Sequence, residues 1–167
     1  MYDSDAITRL AARAVALLQE KCLSFATAES CTGGAVSAAM TSVPGCSSVV
    51  RGCVVAYHND VKRKVLGVDG AVLDTCGAVS EPVVRQMVAG VCSLLGADCA
   101  VATSGIAGPG GGTPEKPVGT VWVAVKVKGK VRAELLTLED NGRVGNVRGA
   151  TGEVLELLCQ LLEECTF

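Results

Sequence analysis

The sequence predicts an α/β fold, a three-layer α/β/α sandwich around a mixed β-sheet. Segments with apolar residues at helical spacing alternate along the chain with short β-branched or apolar segments. The last two strand-like segments are joined by the polar turn 128–130, which predicts a hairpin and hence an antiparallel pair. The alternation and the hairpin together favour a mixed sheet covered by helices on both faces.

The individual elements follow from periodicity and from turn residues. Ser80, with Pro82 just after it, is a typical helix start, and Gly96 is a typical helix end. Pro44 ends an earlier helix, and Asn59 is expected to cap a short one. Helices are predicted over residues 5–20, 32–43, 60–67, 80–96 and roughly 143–164. Strands are predicted over residues 24–29, 47–57, 98–105 and the two arms of the hairpin within 118–138.

The composition limits the class of protein. A chain of 167 residues fits one domain, 1–167, with a core of Val, Leu and Ala because only 3% of residues are aromatic. No apolar stretch approaches the roughly 18 residues needed to span a bilayer. The start MYDSDAITR is acidic, unlike a secretory signal. A net charge of −2 gives no footprint for nucleic acid or an acidic membrane.

The nine cysteines give little support for a metal site. No two of them have the C-x₂₋₄-C spacing of zinc ligands, and His58 is the one histidine in the chain. Their number is odd, and most stand in apolar segments where a free thiol behaves as a small hydrophobe. We therefore expect reduced thiols, a cytoplasmic location, no metal and no cofactor.

Two segments carry candidate chemistry. TAESCTGG, residues 27–34, follows a predicted strand and contains two potential nucleophiles, although Ser and Thr are also ordinary helix caps. GIAGPGGGTPEKPVG, residues 105–119, must be a loop and lacks the order of a nucleotide P-loop. Held between two strands, it is either a binding loop or an idle surface loop.

Four blocks of the sequence resemble the signature blocks of the CinA C-terminal domain family. In order they are AESCTGG, RGCVVAYHNDVKRKVLGV, GAVSEPVV and SGIAGPGGGTPEKPVGTVW, and the resemblance spans roughly residues 5–165. The family contains nicotinamide-nucleotide amidohydrolases, either alone or fused to a further N-terminal domain, and this chain resembles the stand-alone form. The resemblance implies a homodimer that hydrolyses nicotinamide mononucleotide (NMN) to nicotinate mononucleotide and ammonia without a metal.

By motif position, the resemblance implies a serine–lysine mechanism. Ser30 matches the nucleophile, Lys62 the base and Tyr57 a residue that assists them. A serine–lysine pair is a known alternative to the histidine-containing triad, provided that the lysine pKa is lowered by burial or by a nearby cation. The residues alone also allow Lys62 to be an exposed lysine on a basic helix face. The oxyanion is expected to bind the amides of Cys31, Thr32, Gly33 and Gly34.

Other assignments stay open at this stage. A Cys31–His58 pair would make the protein a thiol amidase. Glu29 either orients the site or binds nearby backbone donors. Substrate-binding candidates are Ser104, the loop glycines Gly105, Gly108, Gly110 and Gly111, and three alternatives for the phosphate, Lys116, Arg143 and Arg148.

The relative spacing of the two arginines departs from the family pattern. NGRVGNVR puts Arg143 and Arg148 five positions apart, where relatives usually have four. The sequence therefore leaves open which arginine contacts the ligand, if either does, because both fit solvated charges near a helix start equally well. Two further functions are also compatible with this fold: a non-catalytic binding module, and an amidase for another small amide.

Overall fold

The computed structural model describes residues 2–139 and 141–165 as a five-stranded sheet with helices on both faces. The strands are β1 (Phe25–Glu29), β2 (Val50–Val55), β3 (Cys99–Gly105), β4 (Thr120–Val127) and β5 (Lys130–Thr137). The helices are α1 (Ser4–Glu20), α2 (Ala35–Thr41), α3 (Asn59–Lys64), α4 (Gly70–Cys76), α5 (Glu81–Leu95) and α6 (Gly142–Glu164). The predicted mixed α/β sandwich is confirmed.

The order of the strands explains where a site can form. The sheet runs β2-β1-β3-β4-β5, with β1 parallel to both β2 and β3 and the last three strands antiparallel. Glu29 at the end of β1 is therefore in register with Val55 at the end of β2 and with Thr103 near the end of β3. Ligands in open α/β sheets bind at such carboxyl ends, and the segments that follow these strands carry the candidate residues.

The two faces of the sheet are packed differently. Buried residues of α1, α2 and α6 cover the face that carries the larger strand residues, among them Phe25, Val101 and Val123. On the other face the strands present alanines, including Ala26 and Ala100, and α5 packs against them with its valines and methionine. The alternation of large and small side chains along each strand therefore decides which helix each face accepts.

Several predicted boundaries are corrected. Strand β2 occupies only Val50–Val55 of the predicted 47–57, and α2 begins at residue 35 because 30–34 form a turn. Asn59 is the first residue of α3, whose N-cap is His58, so the predicted cap was wrong by one position. Helix α4 was missed, although Asp69 accepts a hydrogen bond from the amide of Ala71 in the manner of a typical cap.

The helix from Ser80 to Gly96 has the predicted ends. Ser80 is the N-cap of α5, a proline lies in its first turn, and Gly96 closes it with a φ of 61°. Positive φ is accessible to glycine without steric strain, which is why the sequence signal was reliable here. Among the residues that the structure describes, no helix is long and apolar enough to cross a membrane.

Candidate active site

A cavity of about 290 Å³ lies at the carboxyl ends of β1, β2 and β3. It is formed by the turn after β1, the β2–α3 connection, the segment before α5, the glycine-rich loop and the start of α6. Its lining residues are Ser30, Cys31, Tyr57, Asn59, Lys62, Ala78, Val79, Ser104, Gly105, Ile106, Ala107, Gly108, Gly110, Gly111 and Arg143. Sequence segments far apart in the chain thus meet at one concave surface.

Ser30 stands at the inner wall of this cavity. It directly follows β1, and its amide donates to the carbonyl of Thr103 on the neighbouring strand over 2.9 Å. Its side chain is close to fully buried, with 8% of the residue exposed. The parallel pairing of β1 and β3 therefore continues one residue beyond β1 and fixes the serine backbone.

Lys62 reaches Ser30 from α3. The Lys62 Nζ donates to Ser30 Oγ over 3.1 Å and to the carbonyl oxygens of Ala56 and Tyr57 over 2.8 and 3.3 Å. Only 1% of Lys62 is exposed, and no carboxylate of the described residues forms an ion pair with it. Burial without a counter-ion disfavours the ammonium and lowers the pKa of Lys62 below 10.5.

This arrangement suits a lysine that loses its proton. A neutral amine has two N–H donors and one lone pair. When those donors bond the carbonyls of Ala56 and Tyr57, the lone pair of the neutral amine accepts from the Ser30 hydroxyl across the contact in which the ammonium form donates. Lys62 is therefore a buried group beside a hydroxyl, and the alternative of an exposed lysine on a helix face is excluded.

The turn from Ser30 to Gly34 is held by Glu29. Glu29 is completely buried, and its carboxylate accepts hydrogen bonds from five donors. They are the hydroxyls of Thr27 and Thr32 and the amides of Gly34, Val36 and Ser37. Of the two interpretations left open for Glu29, binding of local backbone donors is therefore observed.

Of the four backbone amides predicted to bind an oxyanion, two already donate to acceptors within the protein. Gly33 donates its amide to the carbonyl of Ser30 over 3.1 Å, and Gly34 donates to Glu29 over 3.0 Å. Within the described part of the chain, no backbone carbonyl accepts a hydrogen bond from the amides of Cys31 and Thr32; Cys31 lines the cavity, and Thr32 lies next to it in the chain. The amides of Gly33 and Gly34 are thus used for hydrogen bonds within the protein. Their φ values of 61° and 102° are ones that residues with a side chain rarely adopt.

A Cys31–His58 pair is contradicted by the geometry. His58 is exposed at the N-cap of α3, accepts a hydrogen bond from the amide of Asp60 and does not line the cavity. Burial, together with a smaller effect of the Glu29 carboxylate, raises the pKa of the Cys31 thiol to about 11. The thiol stays protonated near neutral pH and is a poor nucleophile.

Tyr57 and Arg143 form the outer rim of the cavity. The Arg143 guanidinium donates to the Tyr57 hydroxyl and, over 2.8 Å, to the carbonyl of Gly108 in the glycine-rich loop. Tyr57 is 56% exposed, and its contact with Lys62 is made by its main-chain carbonyl. The Tyr57 hydroxyl therefore lies at the mouth of the cavity, and it is the main chain of Tyr57 that contacts Lys62.

The other predicted binding residues divide into two groups. Ser104 and the four predicted glycines, Gly105, Gly108, Gly110 and Gly111, line the cavity. Lys116 and Arg148 do not line it, and Lys116 instead donates to the carbonyls of Cys76 and Val79. Of the three cations considered for the phosphate, Arg143 therefore lines the cavity, whereas Lys116 and Arg148 do not.

Five lining residues were not among the predicted site residues: Asn59, Ala78, Val79, and Ile106 and Ala107 of the glycine-rich loop. Asn59 projects from the start of α3, and its position within the Y-x-N-x-x-K motif was an available signal. Ala78 and Val79 form a wall because the Ser104 hydroxyl donates to the Ala78 carbonyl over 2.8 Å and Lys116 holds Val79. No residue type or spacing marks such backbone contacts in a sequence.

Comparison with known proteins points to one family. The model of the CinA C-terminal domain matches residues 7–162. A CinA-like protein of Gloeobacter violaceus is 46% identical over 158 residues, which are 94% of this chain and 37% of that protein. A CinA-like protein of Gemmatimonas aurantiaca is 51% identical over 130 residues, which are 75% of this chain and 30% of that protein. The chain thus spans about a third of the length of these curated relatives.

Solved structures of similar size resemble the whole chain. The competence/damage inducible protein CihA from Agrobacterium tumefaciens has a TM-score of 0.92 at 41% identity, covering 96% of this chain and 98% of that chain. The competence damage-inducible protein A of Klebsiella pneumoniae has a TM-score of 0.92 at 33% identity, covering 96% of this chain and 99% of that chain.

Proposed function

Because the chain belongs to the CinA C-terminal domain family, we propose that it is an amidohydrolase that deamidates nicotinamide mononucleotide. The products are nicotinate mononucleotide and ammonia. The observation that carries the proposal is the 3.1 Å contact between Lys62 Nζ and Ser30 Oγ at the wall of an open cavity. A buried lysine with lowered pKa beside a serine hydroxyl is the arrangement that serine–lysine acyl transfer needs.

The first half of the reaction forms an acyl-enzyme. Neutral Lys62 takes the Ser30 proton while Ser30 Oγ attacks the carboxamide carbon, giving a tetrahedral intermediate with a negatively charged oxygen. The intermediate collapses when the C–N bond breaks and Lys62 returns the proton to the leaving nitrogen. Ammonia departs, and the nicotinoyl group remains as an ester on Ser30.

The second half releases the acid. Lys62, neutral again, removes a proton from a water molecule that attacks the ester carbonyl. Collapse of this second intermediate breaks the bond to Ser30 Oγ, and the proton on Lys62 returns to the serine. Cys31 and Thr32 supply the amides that suit the charged oxygen, and losing one such donor typically reduces kcat by about 10²–10³.

Recognition of the phosphate is assigned to Arg143. Among the described residues that line the cavity, the cations are the buried Lys62 and Arg143, which lies at the mouth. A planar guanidinium is well suited to bind a phosphate. The cavity, at about 290 Å³, is near the lower end of the range of about 300–1,000 Å³ for small-molecule sites. Exposed Tyr57 and Arg143 at its rim leave the remainder of a mononucleotide room to extend outward.

The proposal is tested by comparing three amides. Values of kcat/KM should be measured for nicotinamide mononucleotide, its dephosphorylated riboside and free nicotinamide in one buffer. We expect the mononucleotide to be the best substrate, because binding energy at the phosphate positions the distant amide. Equal kcat/KM values for the three amides would show that the enzyme does not recognise the phosphate, and they would overturn the nucleotide assignment. No ammonia from any of the three would favour a non-catalytic binding module.

A further inference from the structure

Glu29 places a carboxyl group in the core beside the nucleophile, although the reaction outlined above gives it no chemical step. It is completely buried at the end of β1, and it is the residue immediately before Ser30. All five of its hydrogen-bond donors are neutral hydroxyls or amides. Five donors converge on its two oxygens, which is more than the single acceptor oxygen of a neutral Gln, Ser or Thr side chain can accept.

The donors bring together three different pieces of the chain. Glu29 Oε1 accepts from the Thr27 hydroxyl on β1 and from the Ser37 amide, over 3.1 and 2.8 Å. Glu29 Oε2 accepts from the Thr32 hydroxyl over 2.6 Å and from the amides of Gly34 and Val36 over 3.0 and 3.1 Å. One carboxylate therefore ties the strand, the turn after Ser30 and the first residues of α2 to one another.

This link decides which amides stay available. Gly34 is the N-cap of α2 and provides no side-chain cap, so the amides at the start of the helix are satisfied by Glu29. The amides of Cys31 and Thr32 lie in the preceding turn, and no backbone carbonyl of the described residues accepts from them. Without Glu29, the amides of Gly34, Val36 and Ser37 would lose their acceptor, and with it the link between the start of α2 and β1.

Thr32 transmits the constraint to the turn. Its hydroxyl contacts both Glu29, over 2.6 Å, and the Thr103 hydroxyl on β3, over 2.8 Å. Thr32 is 4% exposed, so these contacts are shielded from water and hold one orientation. The adjacent backbone of Cys31 and Thr32 is thereby fixed relative to Ser30, whose own amide is bonded to the same Thr103.

We propose that Glu29 is a positioning residue that, through Thr32 and the start of α2, aims the amides of Cys31 and Thr32 at the oxygen of the reacting carbonyl. This role rests on the proposed amide hydrolysis and deepens it. It predicts a transition-state effect, because a charged oxygen needs two aligned donors far more than the ground-state carbonyl does. A capping role alone would lower stability and leave the chemical step unchanged.

The test compares Glu29→Gln and Thr32→Val with a matched control. Ala38→Gly weakens the same helix α2 at an exposed position without touching Glu29 or the turn. For Glu29→Gln we expect kcat to fall by about 10² with KM changed by less than about threefold. Ala38→Gly should lower Tm and leave kcat within about twofold. Thr32→Val should lower kcat as well, and the double variant should lose less than the product of the single losses.

A second readout separates this proposal from the substrate assignment. The rate at which a fluorophosphonate modifies Ser30, followed by mass spectrometry, needs the oxyanion donors and does not need nicotinamide mononucleotide as a substrate. We expect Glu29→Gln to slow this modification strongly and Ala38→Gly to leave it unchanged. If Glu29→Gln keeps the wild-type kcat and modification rate, or if both variants lose activity in proportion to their loss of Tm, Glu29 is only a structural cap. If the wild-type protein reacts with the fluorophosphonate but does not deamidate the mononucleotide, the substrate assignment is overturned. The comparison of the Glu29 and Ala38 variants still holds in that case.

Discussion

The Lys62 Nζ lies 3.1 Å from Ser30 Oγ, although the two residues are 32 positions apart and belong to different elements. The contact exists because β1 and β2 are parallel neighbours, so the segments after their carboxyl ends lie side by side. Lys62 enters this contact without a counter-ion, which is what allows it to give up its proton.

Replacing Lys62 by arginine should abolish turnover. A guanidinium keeps a positive charge and can bond the carbonyls of Ala56 and Tyr57, but it does not deprotonate in a protein. We expect kcat to fall by about 10²–10⁴ for Lys62→Arg, the usual contribution of general base catalysis. Ammonia release in the steady state measures the loss. Wild-type turnover in this variant would remove Lys62 from the role of base.

The stability of the protein should depend on pH through Lys62. Its pKa is lowered in the folded state, so between that pKa and 10.5 the unfolded chain binds more protons than the native one. Stability should therefore rise with pH across this window, and kcat/KM should rise as Lys62 becomes neutral. Urea unfolding over a pH series should show a shallower rise for Lys62→Met than for wild type. The exposed Lys64→Met is the control, and an equal change in both variants would contradict the assignment.

Arg143 should matter for phosphorylated substrate in particular. Arg143→Ala is expected to raise KM for the mononucleotide about tenfold or more, because hydrogen bonds to charged groups contribute about 1.5–3 kcal/mol. The value of kcat/KM for the riboside should change much less. Steady-state kinetics on both substrates measures the difference.

Two cations outside the cavity provide the comparison for Arg143. Arg148→Ala should leave both substrates within about twofold of wild type, since this side chain does not line the cavity. Lys116→Met should affect both substrates alike, because Lys116 supports the wall through Cys76 and Val79. A loss confined to the mononucleotide in either variant would reassign the phosphate contact.

The sequence was informative at several positions where one residue decides local geometry, although the Asp69 cap of α4 was missed. Gly96 and Ser80 gave the ends of α5, and the Lys128–Gly129 turn gave the antiparallel hairpin. Ser30 and Lys62 were identified by family resemblance, since nothing local shows that a lysine on a basic helix is buried.

The sequence pattern did not predict the polar contacts between residues that are far apart in the chain. A nearby Ser or Thr was one possible cap for α2, but its N-cap is Gly34, and Glu29 on the preceding strand accepts from the first amides. Lys116 was one of three candidates for the phosphate, and its ammonium donates to carbonyls about 40 positions earlier in the chain. Both sets of contacts join polar groups that only the tertiary structure brings together.

The most direct test of the central claim is ammonia release from nicotinamide mononucleotide by wild type, Ser30→Ala and Cys31→Ala. These neighbouring residues are both buried, so the two substitutions are closely matched in position. The serine mechanism predicts that Ser30→Ala loses all turnover above background. Cys31→Ala should keep most of its turnover, because the protonated thiol takes no part in the reaction. An active Ser30→Ala together with an inactive Cys31→Ala would contradict the account.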